Sequence, residues 1–121
     1  MKHQEESIAF CVTDDTGRNL VISGDTAWNE NLAELLGTAD AAILDMTFLR
    51  DGSGDHMNLA EDLPKILAAI KPDCRVLLTH LGKDRKEYLK AIDNLAAQME
   101  QELKTKLKNV IVAEELKEYE L

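Results

Sequence analysis

Apolar and polar positions repeat with two different periods along this chain. Residues 7–13 (SIAFCVT) and 19–23 (NLVIS) are short runs of β-formers. Asp14-Asp15-Thr16-Gly17 lies between them and carries turn chemistry, so the two runs predict a hairpin. The second run leads straight into Gly24-Asp25-Thr26, which leaves a carboxylate just past the strand. Beyond it Thr26 or Asn29 can cap a helix through Leu36, with Leu32, Leu35 and Leu36 inward, Trp28 packing its start and Gly37 as the C′ residue.

The pattern then alternates. Residues 41–44 (AAIL) read as a buried strand ending in Asp45. A polar, Gly-rich loop follows over 48–56. The next helix can start at Asn58 or Asp62. Proline is best tolerated in a first helical turn, so Pro64 favours Asp62 as the cap. Leu63, Ile66, Leu67 and Ile70 form its apolar stripe, and it stops before Lys71-Pro72. Residues 75–79 (RVLLT) read as another buried strand, ending at His80. Residues 84–107 read as one long amphipathic helix, with Tyr88, Leu89, Ile92, Leu95, Ala96, Met99, Leu103 and Leu107 inward. Residues 109–113 close as a strand, and 118–121 can add a short edge strand. The expected class is α/β: a single domain over 1–121 with a mixed sheet and helices on one face. The opposite sheet face would then need a partner.

Composition narrows what the domain can do. Net charge is −9, with 14 Lys and Arg against 23 Asp and Glu. This acidity disfavours nucleic acid as a partner, because phosphate contacts need clustered cations. No apolar run approaches the roughly 20 residues that span a bilayer, and no apolar stretch follows Lys2 as a secretory signal requires. A cytoplasmic protein without membrane contact is expected. Cys11 and Cys74 form no CxxC pair and read as reduced thiols. The charged face of 83–108 reads as solvated helix surface, and 114–120 as an exposed acidic edge.

Three apolar strands end in groups that bind metals or move protons: Asp25, Asp45 and His80. Adjacent strands would bring such ends together, and carboxylate with imidazole is a donor set for Zn, Mn or Fe. Asp25 is equally readable as a turn residue or helix cap, and His80 as a loop histidine. No GxGxxG or Walker A pattern supports a nucleotide site, although strand-end aspartates with Mg²⁺ would suit a small α/β binder.

Several stretches together resemble the metallo-β-lactamase superfamily, in its ribonuclease Z-like and phosphodiesterase branches. These are residues 20–26 (LVISGDT), 39–48 (ADAAILDMTF), 54–58 (GDHMN) and 76–81 (VLLTHL), with 110–121 similar to the family's closing strand pair. His3, ahead of Ser7-Ile8-Ala9-Phe10, resembles the histidine that precedes a strand in that family. The resemblance implies that His3 is a ligand to one metal ion, that Asp25 bridges two, and that His80 completes the second site. It implies that His56 contacts the scissile phosphate or donates a proton to the leaving group, making Asp25 and His56 the catalytic pair, with Asp45 supporting the ligands.

The departures are as informative. The family's His-x-His-x-Asp-His signature is absent, Glu114-Glu115 stands where the family closes with Asp-Gly, and only three histidines are present. The resemblance implies the C-terminal half of a four-layer αββα sandwich. Zn, Mn or Fe would be bound incompletely or not at all by this chain alone. Two expectations follow. The chain is half of a metal-dependent hydrolase of a phosphodiester or related small ester, completed by a separate N-terminal half. Or it is a non-catalytic homodimeric module.

Overall fold

In a computed structural model of the chain, residues 9–23, 28–46, 58–79, 81 and 84–113 are described. Among these residues five strands form one sheet: β1 (Ala9–Thr13), β2 (Asn19–Ser23), β3 (Ala41–Asp45), β4 (Arg75–Thr79) and β5 (Val110–Val112). Strand order follows sequence order; β1 and β2 are antiparallel and the other pairs parallel. Four helices fill the crossovers: α1 (Glu30–Thr38), α2 (Leu59–Ala69), α3 (Arg85–Ala96) and α4 (Gln101–Leu107). Crossovers of one hand, advancing in one direction, put every helix on the same side of the sheet. The expected mixed sheet with helices on one face is therefore the observed fold.

The hairpin closes as its sequence requires. Asp14 Oδ1 accepts from the Thr16 and Arg18 amides and from Thr16 Oγ1, at 2.7–3.0 Å. Gly17 adopts φ +86, a conformation that costs a glycine nothing.

Strand register divides the sheet into two unlike faces. Val21, Ala42, Leu44, Val76, Leu78 and Val112 point to the helices and share one buried cluster with Leu32, Leu36, Leu59, Leu63, Ile66, Leu67 and Tyr88. The opposite face carries a row that crosses all five strands: Phe10, Ile22, Ile43, Leu77 and Ile111. Of these five only Phe10, at 56%, is exposed; Ile22, Ile43 and Ile111 are half-buried and Leu77 is buried. Val12 and Leu20 extend the same face. Four strands of five residues and one of three span a plane of about 370 Å², exposed at its β1 end through Phe10 and Val12.

Four expectations of the sequence need correcting. Gly37 does not end α1; it lies within the helix, which runs on to Thr38, where Thr38 Oγ1 bonds back to the Leu35 carbonyl at 2.9 Å. Helix α2 is capped by Asn58, not Asp62. Asn58 Oδ1 accepts from Glu61 N, and Asp62 Oδ2 accepts from Asn58 N, both at 2.9 Å. This reciprocal pair, with Leu59 and Leu63 buried behind it, holds the helix through Pro64 in its second turn.

The long helix expected over 84–107 is two helices, broken between Ala96 and Gln101. No weak helix former explains the break, so packing overrides propensity. Helix α4 turns so that Lys106 Nζ can donate to the Leu67 and Ile70 carbonyls, at 2.9 and 2.7 Å. Helix α2 has no basic residue in its own last turn, and Lys106 supplies that cation from another element. Leu89, expected inward, is 38% exposed.

At the N-terminal ends of the strands, Asp40 joins three elements. Its carboxylate accepts from Asn19 N and Lys71 Nζ, both at 2.8 Å, and its carbonyl accepts from Arg75 N. The hydrogen bond from Lys71 is the main reason its carboxyl is held below the usual carboxylate range.

Candidate functional site

The parallel strands β2, β3 and β4 finish at one sheet edge, and there three polar side chains meet. Asp45 ends β3. Its amide donates to Ser23 Oγ on β2 at 3.3 Å, and its Oδ1 accepts from Thr79 Oγ1 on β4 at 3.2 Å. Asp45 and Thr79 are register partners, and Met46 N continues the ladder to the Thr79 carbonyl at 2.9 Å. Ser23 is buried, while Asp45 and Thr79 are half-buried. The Thr79 hydroxyl orients the Asp45 carboxylate, and Ser23 holds the backbone it stands on, as suits a group supporting metal ligands.

Helix α3 fixes this edge from behind. Tyr88, fully buried, donates its hydroxyl to the Met46 carbonyl at 2.8 Å. Arg85 Nε donates to the Val112 carbonyl at 2.9 Å. Both carbonyls lie at the C-terminal ends of strands, so the first turns of α3 tie β3 to β5 on the side where Asp45 sits.

The residues singled out from sequence fare unequally. His3, Asp25, His56 and His80 lie outside the described residues. Asp25 follows Ser23 by two positions and His80 follows Thr79 by one, and both Ser23 and Thr79 contact Asp45. Among the described residues no group of three His, Cys, Asp or Glu could hold a metal ion. The described residues thus supply a frame and one carboxylate, not a ligand set. Sequence reasoning passed over Ser23, Thr79, Arg85 and Tyr88. For Tyr88 a signal existed: a tyrosine on a helix's apolar face needs a partner for its hydroxyl.

The two cysteines differ. Cys74 is buried, which pushes its thiol up to about 11 and leaves it protonated at neutral pH, whereas Cys11 is exposed on β1. No helix among the described residues is long and apolar enough to cross a membrane.

Comparison with known proteins gives the family. The family model described as the beta-lactamase superfamily domain matches residues 1–81, a span that includes His3, Asp25, Asp45, His56 and His80. The chain belongs to the beta-lactamase superfamily. Among solved structures it is similar to the metallo-beta-lactamase fold protein YhfI from Bacillus subtilis, with a TM-score of 0.58 and 26% identity over 87% of this chain. The chain covers 40% of that protein's length. No curated protein matches it. Proteins of this fold usually bind metal ions.

Proposed function

We propose that this chain is the C-terminal half of a metal-dependent hydrolase of the superfamily, in its ribonuclease Z-like and phosphodiesterase branch. It acts on a phosphodiester or related ester once a first half, supplied elsewhere, packs on the sheet face opposite the helices. The observation that carries this reading is the strand edge where Asp45 is held by Ser23 and Thr79, with Asp25 and His80 next along those two strands in sequence. The apolar row from Phe10 to Ile111 supports the need for a covering half.

The donor chemistry of His3, Asp25 and His80 suits Zn, Mn or Fe. Asp25 would bridge two ions, and His3 and His80 would each complete one side. Metal held by these residues would supply Lewis-acid activation of water and of the ester. His56 donates a proton to the leaving oxygen, and Asp45 orients the ligands beside it. The test mixes the chain with a first half carrying His-x-His-x-Asp-His and follows hydrolysis of bis(p-nitrophenyl) phosphate. Turnover is expected in the mixture and in neither part alone, and His56→Ala should lower it about 10²- to 10⁴-fold. Absence of turnover with Zn, Mn and Fe each supplied would overturn the reading.

A second reading, a non-catalytic homodimeric module, rests on the count of three histidines. It predicts that the mixture neither assembles nor turns over.

A further inference from the structure

Two carbonyls at the C-terminal side of the sheet fall outside its strand pairing. Met46 lies one residue past β3, beyond the last register pair of β3 with β4, which is Asp45 with Thr79. Val112 is on the edge strand β5. Val76 N donates to the Asn109 carbonyl and Ala113 N to the Leu78 carbonyl, so the parallel alternation turns the Val112 carbonyl away from β4. Both residues are buried, at 0% and 2% exposure, and a buried carbonyl needs a donor. In both places α3 provides it, through the Tyr88 hydroxyl to Met46 at 2.8 Å and Arg85 Nε to Val112 at 2.9 Å.

Arg85 and Tyr88 stand at positions i and i+3, so they leave α3 on one face. They reach β5 and β3, the strands on either side of β4. Helix α3 therefore straddles the C-terminal end of the strand that leads into it. Thr79 ties the same end from within the sheet: its carbonyl accepts from Met46 N and its hydroxyl donates to Asp45 Oδ1. Asp45 thus stands among fixed points, with Ser23 Oγ on its amide, Thr79 on its carboxylate and on the next amide, and Tyr88 on the next carbonyl. Packing alone does not ask for the Tyr88 hydroxyl. Phenylalanine would fill nearly the same core volume, and a buried hydroxyl is costly unless it finds an acceptor. Its acceptor follows β3, which alone of the five described strands ends in a carboxylate.

We propose, resting on the hydrolase reading above, that Tyr88 and Arg85 are positioning residues for metal binding. They act through the Met46 and Val112 carbonyls, fixing the C-terminal ends of β3 and β5 about β4 and so holding Asp45 where it supports the ligands. Neither side chain needs to touch metal or substrate. Their effect on metal passes through the backbone on either side of β4, and it is separate from what they add to the stability of the fold.

The test has two readings. On the 121-residue chain alone, native amide exchange compares Tyr88→Phe with the wild type. The Asp45 and Met46 amides should exchange about tenfold faster, while Arg75 and Val76, at the far end of β4, keep the wild-type rate. A merely destabilised fold would raise all four alike. Arg85→Met should speed exchange at Ala113 in the same local way. In the complex with a first half, a chelator should strip Zn from Tyr88→Phe and from Arg85→Met about tenfold more readily than from the wild type. Lys106→Met, which loses two hydrogen bonds at the C-terminus of α2, should hold Zn as the wild type does. Equal gains at all four amides overturn the proposal, and so does Zn retention in Tyr88→Phe equal to that of the wild type. If Tyr88→Phe does not fold, Arg85→Met decides by the same two readings. A wild-type complex that takes up none of Zn, Mn and Fe overturns the hydrolase reading and the metal role with it, whereas uniform exchange overturns the positioning role alone.

Discussion

Tyr88 on α3 donates its hydroxyl to the Met46 carbonyl at 2.8 Å, one residue past Asp45. The ring is fully buried, so the bond exchanges no solvent and the carbonyl has no water to turn to. Tyr88→Phe keeps the packing and strands that carbonyl. Stability should fall by about 1–3 kcal/mol, read from urea denaturation. A variant as stable as the wild type would show that the bond does not hold this edge.

Lys106 caps α2 from α4. Replacing it with methionine keeps much of the aliphatic stem but removes both hydrogen bonds to Leu67 and Ile70 and the cation at a helix C-terminus. The expected loss is about 1–3 kcal/mol. Amide exchange should rise at the end of α2 and in α4 before the sheet opens. Uniform protection across the chain would contradict the capping role.

Asp40 links acid stability to the far end of the sheet. Its carboxyl is held low chiefly by the hydrogen bond from Lys71. Its contribution is therefore complete above the unfolded value, about 4, and is lost as pH falls through the lower folded value. Lys71, raised chiefly by the hydrogen bond to Asp40, contributes fully below its unfolded value and loses that contribution as pH rises through the folded one. Urea midpoints of wild type and Asp40→Asn should differ at pH 7 and converge below pH 4. A gap that is constant with pH would contradict the pairing.

Strands β2 and β4 could be read from sequence to the residue because their apolar runs are bounded by polar residues at both ends. Asp45 was visible for the same reason, as a carboxylate closing an apolar run. What escaped was decided between elements. Gly37 reads locally as a helix stop, yet α1 continues past it. Pro64 argues locally for a cap at Asp62, yet the Asn58–Asp62 pair outweighs it. The break between α3 and α4 has no local cause, because Ala97, Gln98 and Met99 all favour helix. Beyond it, Lys106 on α4 reaches the Leu67 and Ile70 carbonyls. Ser23 and Thr79 were legible as strand ends but not as partners of Asp45, because register joins residues 22 and 34 positions away from it.

We propose that Asp25 and His80 hold metal beside Asp45 once a first half packs on the sheet face opposite the helices. The most direct test is metal analysis of the purified complex between this chain and a first half, by mass spectrometry under native conditions. The account predicts about two ions per complex, a clear loss in Asp25→Ala and in His80→Ala, and little metal on the chain alone. An assembled complex without metal, or one whose metal content is unchanged by both substitutions, would contradict it.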